Sequence, residues 1–179
     1  RLGTLAAAAN VELGAALAAV DEATRAGLVA GEPGARRSHF AHALVRETLL
    51  ASLVPGERSA LHADVARALR ERYGESADEH LMEIAFHVLE AVPHVPAQEA
   101  LRYALDAGHH AVARFDHAEG ARLFDRAADL RDVLGPDDAR DADVFQALGE
   151  ARMRAGDLPG GRAALARAAR AARRRGDPM

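Results

Sequence analysis

Three side chains that could share a metal ion lie on one predicted helix. His80, Glu83 and His87 are spaced by three and four residues, which places them on one face of an α-helix. Imidazole and carboxylate groups are common zinc ligands. The order of the residues matches neither the H-E-x-x-H pattern nor the E-x-x-H pattern of helical metal sites. Since His87 is flanked by apolar Ile84 and Val88, we predict a packing histidine and no metal ligand.

The patterns that carry nucleophilic catalysis or nucleotide binding are not found in this sequence. It contains no G-x-S-x-G, no G-x-x-x-x-G-K-[ST] and no G-x-G-x-x-G. All 23 basic residues are Arg, so a phosphate-loop lysine or a Schiff base cannot form, and there is no Cys. The acidic pair Asp137–Asp138 lies at a predicted helix start, where carboxylates complement the helix dipole. We therefore predict no catalytic residue and no cofactor held by these residues alone.

The composition predicts an all-α chain with at most a small β wing. About a quarter of the residues are Ala, and only 4% are aromatic. Ala is the strongest helix former, whereas a β sandwich would need many more Val, Ile, Thr and aromatic residues. No apolar run approaches the roughly 20 residues that a bilayer span needs. We expect a cytoplasmic protein without a membrane partner.

The first 54 residues predict a winged-helix module. The predicted helices cover residues 2–8, 11–26 and 41–53. Asn10 is placed to cap the second helix, and Gly27 is placed to end it. Segments 28–30 and 38–40 flank a turn-rich loop at 31–35, which suits a two-stranded wing.

After residue 54 the apolar periodicity predicts antiparallel helix pairs. The predicted helices cover residues 57–72, 77–91, 97–114, 117–134, 138–155 and 158–175. The first pair is assigned to residues 55–96 and the other two to 97–179. We expect this helical array to continue beyond Met179.

The last two pairs resemble one repeat written twice. An offset of 41 residues aligns Gly108 with Gly149, Asp116 with Asp157, Gly120 with Gly161, Phe124 with Leu165 and Ala127 with Ala168. Small residues at a crossing let two helices touch, and a large apolar residue fills the gap beside them. The pattern is similar to tetratricopeptide repeats, with longer helices than their usual period of about 34 residues. Arg152 stands where an aromatic residue is usual.

One stretch carries a more specific pattern. Within residues 38–53 the order F-x-H-x-L-x-R-E is formed by Phe40, His42, Leu44, Arg46 and Glu47. It resembles the signature that closes the winged helix of STAND-class signalling ATPases, especially large LuxR-type bacterial transcriptional regulators and ATPase-linked adenylate cyclases. A helix ending in Ala-Gly-Leu-Val precedes it and helix pairs follow it, so the resemblance covers nearly the whole chain.

The resemblance implies a nucleotide-sensing role for His42. In that class a histidine at this place reaches the phosphates of bound ADP and holds the nucleotide domain and the winged helix closed. A structural role, in which His42 caps the helix or packs under the wing, stays open. His39 is a weaker candidate, because strand alternation puts it opposite Phe40.

These features together predict a non-catalytic region of an ATP-dependent signalling or transcriptional regulator. The resemblance implies ATP or ADP in the parent protein and, as a partner, an upstream nucleotide-binding domain in the same chain. The helical repeats would bind a protein or small-molecule effector. Two alternatives remain: a stand-alone helical-repeat interaction module, and the regulatory region of a nucleotidyl cyclase.

The charge distribution argues against direct contact with nucleic acid. The net charge is −4, whereas a nucleic-acid-binding domain usually carries a broad basic footprint. Helix 11–26 carries Glu12, Asp21 and Glu22 against Arg25. One basic stretch occurs, which we interpret as a solvated helix face: Arg167, Arg170, Arg173, Arg174 and Arg175.

Overall fold

Alanine-rich segments form helices along most of the chain. The computed structural model describes residues 1–31 and 38–176, and within them two short antiparallel strands accompany the helices. The predicted all-α class with a small hairpin is confirmed at this level. The chain divides into two compact units, Arg1–His80 and Leu81–Met179. Each is described separately below.

The first unit contains four α-helices, the hairpin and a 3-10 segment in the ranges described. In chain order these are α1 (Leu2–Ala8), α2 (Leu13–Arg25), β1 (Val29–Ala30), β2 (His39–Phe40), α3 (Ala43–Ser52), α4 (Pro55–Tyr73) and the 3-10 segment (Gly74–His80). Helix α4 packs on α1 and buries Ala66, Ala68 and Leu69. The structure thus groups α4 with the preceding helices, whereas the sequence assigned it to the helical array that starts at residue 55.

The start of α2 differs from the sequence prediction. Its N-cap is Glu12, not Asn10. Asn10 has a φ of 53°, a left-handed conformation that Asn tolerates better than most residues. Because Asn10 turns the chain between α1 and α2, it cannot also cap the second helix. Gly27, with a φ of 71°, follows the C-cap of α2 as predicted.

The predicted wing strands pair where the sequence places them. Val29 lies opposite Phe40 and Ala30 opposite His39 in an antiparallel register. Most of the predicted loop, residues 32–35, falls outside the described residues. The backbone N–H of Ala41 donates to the Leu28 carbonyl at 3.0 Å, which extends the pairing toward α3.

The junction after α3 is tighter than the sequence predicts. Pro55 occupies the first turn of α4, where its missing N–H costs nothing, and the Glu57 carboxylate accepts from the Val54 N–H at 3.1 Å.

The predicted helix 77–91 is split in the structure. Its first residues belong to the 3-10 segment, in which His80 stacks on Tyr73 with ring centroids 3.5 Å apart.

The second unit contains five helices within the described residues. They are α5 (Leu81–Glu90), α6 (Ala97–Ala113), α7 (His117–Leu134), α8 (Asp138–Arg154) and α9 (Leu158–Arg175). Each helix packs on the next one in the chain. The sequence predicted α7 and α9 to the residue, and α6 and α8 to within one residue at their C-terminal ends.

Helices α6 and α7 cross at two glycines. A methyl group on Gly108 would lie 2.6 Å from Cε1 of Phe124, and one on Gly120 would lie 2.5 Å from Cγ2 of Val112. Such distances leave no room for a Cβ atom, so the glycines set how closely the helices approach. The contact of Gly108 with Phe124 and of Val112 with Gly120 shows that the two helices run antiparallel.

Helices α8 and α9 repeat this crossing at the predicted offset. A methyl group on Gly149 would lie 2.6 Å from Cγ of Leu165 and 3.0 Å from the backbone oxygen of Gly161. Gly161 in turn contacts Met153, which occupies the position of Val112. The four crossing positions are therefore equivalent in sequence and in contact.

The turns within the two hairpins are equivalent as well. Phe115 has a φ of 64° and Gly156 a φ of 93°, so both turns pass through the left-handed region. Asp116 and Asp157 follow them as N-caps of α7 and α9. Their carboxylates accept from the N–H groups three residues ahead, at 3.1 Å and 2.9 Å.

A buried ion pair holds the turn between α7 and α8. Arg131 is 4% exposed, and its Nε donates to Asp141 at 2.8 Å. Its Nη2 donates to the Gly135 carbonyl at 2.5 Å. Asp137 caps α8 by accepting from the Arg140 N–H at 3.2 Å, as expected for an acid at a helix start.

No single helix in the described ranges is both long and apolar enough to cross a membrane. Helices α1 and α2 reach that length and apolarity together, and they are bent by 111° at the break between them.

Candidate functional site

The motif histidine His42 lies at the N-cap position of α3. Its backbone is extended, with φ −136° and ψ 139°, and its carbonyl accepts from the N–H groups of Val45 and Arg46 at 3.1 Å and 3.4 Å. The imidazole is exposed and makes no hydrogen bond that caps the helix. Neither structural alternative, a side-chain cap or packing under the wing, describes this side chain in the structure.

The position of His42 suits an anion. The first N–H groups of an α-helix have no carbonyl partner within the helix, and the helix dipole adds partial positive charge there. A phosphate placed before α3 would therefore meet free N–H groups of the first turn, and the imidazole at this position carries a ring N–H that can donate to an anion.

The rest of the motif lies on an exposed surface of the first unit. None of the α3 residues is buried. The side chains of Leu44, Leu49 and Phe40 are 74%, 47% and 40% exposed. The first unit itself therefore does not cover the apolar side chains of this helix.

A groove of about 250 Å³ lies beside the hairpin in the first unit. It is lined by Arg1, Leu2, Leu5, Val20, Val29, Ser38, His39 and Phe40. The weaker candidate His39 therefore contributes to this groove, while His42 is not among its lining residues. The two histidines lie on opposite sides of the β2–α3 junction in sequence and have different surroundings.

The second unit contains a larger groove, of about 560 Å³, between α6 and α8. Its lining residues are Pro96, Gln98, Glu99, Leu101, Arg102, Leu105, Asp106, Arg140, Asp143 and Val144. The apolar members offer contact area, and the charged members can orient a ligand. Sequence reasoning did not identify this groove.

A signal for the groove was present in the repeat. At the offset of 41 residues Glu99 aligns with Arg140, and Arg102 aligns with Asp143. Equivalent positions on α6 and α8 therefore carry opposite charges and face the same groove. Arg102 also forms an ion pair with Asp106 at 3.7 Å.

The histidines of the possible metal cluster have other surroundings. His80 belongs to the 3-10 segment and stacks on Tyr73, whereas Glu83 and His87 lie on α5. His87 is half-buried and meets the ring of Phe86 edge-on at 5.1 Å. Within the part of the chain that the structure describes, no group of three or more His, Asp or Glu side chains could hold a metal ion.

Three features therefore offer a basis for function: the exposed His42, the uncovered face of α3, and the groove between α6 and α8. We compared the chain with family models, curated proteins and solved structures, and none of them matches it.

Proposed function

We propose that this chain is the coupling region of a cytoplasmic, ATP-dependent signalling regulator of the STAND class. In this proposal residues 1–54 form a winged helix that senses the nucleotide, and the second unit is a tetratricopeptide-like array that binds an effector. The observation that carries the proposal is the exposed His42 imidazole at the start of α3, within the F-x-H-x-L-x-R-E pattern.

The chemistry of His42 supports a phosphate contact. Both tautomers of a neutral imidazole carry an N–H donor, and the protonated ring carries two. The helix N-terminus favours an anion at the same place. The parent protein would supply the nucleotide and the loop that binds it, and His42 would add one contact that is present only in the closed, ADP-bound state.

The exposed apolar side chains of α3 support a partner domain on the same surface. Leu44, at 74% exposure, lies two residues after His42. A domain that brings ADP phosphates to His42 would cover this side chain. The nucleotide-binding domain that the resemblance implies is the partner that this proposal assigns to this contact.

The geometry of the second unit supports the repeat interpretation. Arg126 of α7 reaches back to the Leu89 carbonyl of α5 at 3.2 Å, and Arg167 of α9 reaches back to Asp132 of α7 at 3.3 Å. Arg126 and Arg167 are equivalent at the 41-residue offset. Equivalent arginines thus reach back to the helix before the preceding one in both hairpins, although their partners differ, as expected when hairpins stack in an array. The groove between α6 and α8 is the proposed effector site.

The decisive experiment measures ADP release from the protein encoded by the complete reading frame. We expect His42→Ala to release ADP about tenfold faster than the wild type, because one charge-assisted hydrogen bond contributes roughly 1.5 kcal/mol. His39→Ala is the matched control, since His39 is an exposed histidine three residues away, and its release rate should stay unchanged. Unaltered ADP release in the His42 variant would contradict the sensor role.

A stand-alone interaction module is the second candidate function. The groove between α6 and α8 favours it, because an effector could bind there without any nucleotide. Translating the reading frame on both sides separates the candidates: a G-x-x-x-x-G-K-[ST] loop upstream supports the signalling ATPase, and a frame without one supports the module. A cyclase domain preceding the ATPase would make the parent a nucleotidyl cyclase.

A further inference from the structure

Part of the basic stretch on α9 lines a pocket between α8 and α9. This pocket has a volume of about 180 Å³. Its lining residues are Asp141, Phe145, Arg167, Arg170, Ala171 and Arg174. The expectation that these arginines simply form a solvated helix face therefore omits a concave site at which three of them converge.

The guanidinium of Arg167 is held in place at this pocket. Its Cζ lies 3.8 Å above the centroid of the Phe145 ring, a distance at which a cation and an aromatic face attract each other. Its Nη2 also lies 3.3 Å from Asp132. A guanidinium fixed in this way loses less side-chain freedom when it binds a ligand.

The pocket has more positive than negative charge. Asp141 is the carboxylate among the lining residues, and Arg131 already binds it at 2.8 Å from the buried side. Arg170 pairs with no carboxylate of the described residues and is exposed. Three guanidinium groups in one concave site, one of them exposed and without an ion pair among the described residues, favour an anion between them.

The pocket is particular to the second hairpin. At the 41-residue offset the corresponding residues of α6 and α7 are different: Ala104 stands for Phe145, Asp129 for Arg170 and Val133 for Arg174. The crossing glycines are shared by both hairpins, whereas these residues are not. Arg167 has its equivalent in Arg126, but packing of the repeat alone does not account for the aromatic platform or for Arg170 and Arg174.

We propose that this pocket binds a phosphate group. Guanidinium groups match phosphate oxygens with paired hydrogen bonds, and the volume accommodates one phosphate and its ester oxygen. The ligand is either a free phosphate or a phosphorylated residue of a partner protein, which present the same dianion. This site is separate from His42 and from the groove between α6 and α8, and it does not depend on the proposed function.

The test is calorimetric titration of the full chain with inorganic phosphate at constant ionic strength. We expect saturable binding to the wild type and about tenfold weaker binding to Arg170→Ala, which equals roughly 1.4 kcal/mol. Arg162→Ala is the matched control, because Arg162 is exposed on the same helix and does not line the pocket. It should bind phosphate like the wild type.

A second titration distinguishes the two sources of phosphate. A short peptide with one phosphoserine is titrated beside the same peptide with serine, which shows whether binding requires the phosphate group. Tighter binding of the phosphopeptide than of inorganic phosphate identifies a phosphorylated residue of a protein partner as the ligand. Equal affinities identify a free phosphate. Binding that is not saturable, or that Arg162→Ala weakens as much as Arg170→Ala, would overturn the proposal. Far-ultraviolet circular dichroism checks that each variant keeps the helical content of the wild type.

Discussion

The side chain of Arg131 links the end of α7 to the start of α8. Its two hydrogen bonds join Asp141 and the Gly135 carbonyl, and the guanidinium is shielded from water. Removing one member of a buried ion pair leaves the other charge without a partner, which is more costly than losing an exposed pair.

We therefore expect Arg131→Ala to lower the free energy of unfolding by about 3 kcal/mol. Urea denaturation followed by circular dichroism measures this change. Arg140→Ala is the control, since Arg140 pairs with Asp137 at 3.4 Å on the surface and should cost at most about 1 kcal/mol. Equal losses in the two variants would show that the buried pair contributes no more than a surface pair.

The left-handed turns lead to a second prediction at the residue scale. Phe115 adopts a φ of 64° and is 85% exposed, whereas Gly156 occupies the equivalent turn. Since a non-glycine residue pays roughly 1 kcal/mol in this region, Gly156→Ala should destabilise the chain by about that amount. Phe115→Gly should raise the free energy of unfolding by some tenths of a kcal/mol, because it relieves the left-handed strain. This gain is partly offset by the small surface that the ring buries and by the higher entropy of glycine in the unfolded chain.

Thermal unfolding of both variants measures these shifts, which should have opposite signs. A loss of stability in Phe115→Gly would mean that the exposed ring contributes more to the folded state than its conformation costs.

At the scale of elements, the glycine crossings determine how close the helices lie. Gly149→Ala would place a methyl group 2.6 Å from Leu165 and 3.0 Å from the Gly161 backbone oxygen. The backbone cannot yield as a side chain can, so we expect a loss of about 1–3 kcal/mol despite the better helix propensity of Ala. Gly14→Ala on α2 is the control, because no atom lies within 4 Å of the place that its methyl group would take, and the change should be neutral or slightly stabilising.

Chemical denaturation of these two glycine variants gives the comparison. If Gly149→Ala matched Gly14→Ala, the α8–α9 crossing would have to be looser than the structure shows.

The sequence was most informative where periodicity and turn residues agree. In α7 and α9 an Asp cap precedes the helix and an apolar stripe runs along it, and both helices were predicted to the residue. The start of α2 was missed, because Asn is favourable both as a cap and in a left-handed turn, and only the path of the chain decides between them. The 3-10 segment was missed because Ala77 stands four residues before Leu81, a spacing that also fits one face of an α-helix.

At the scale of the whole molecule, the two units differ in how much of their apolar surface is covered. Helix α3 has no buried residue, whereas α7 buries residues along most of its length. Amide exchange reports this difference, because local opening is easiest where few apolar contacts hold the backbone.

We expect the amides of α3 to exchange at least about tenfold faster than those of α7 in this chain. In the complete protein with ADP bound, α3 should become protected if the nucleotide domain covers Leu44. Protection of α3 already equal to that of α7 in this chain would contradict the interpretation of α3 as an uncovered docking face.

The candidate sites were predictable to different degrees. His42 could be singled out from the order of five residues, because a signature is a property of the sequence itself. The groove between α6 and α8 and the pocket beside Phe145 required the structure, since each is formed by residues of two helices whose rotation the sequence does not specify. For the groove between α6 and α8, the sequence offered one indication: opposite charges, such as Arg102 and Asp143, align at the 41-residue offset of the repeat.

The Arg131 contacts have a mechanical consequence. One side chain binds the Gly135 carbonyl in the connecting turn and the Asp141 carboxylate in the next helix, so a single cation couples that turn to the helix that follows it. The phosphate pocket shares Asp141 with this cation. An anion in the pocket would lie near the same carboxylate, so its negative charge would act on the Arg131–Asp141 pair as well as on the arginines of the pocket.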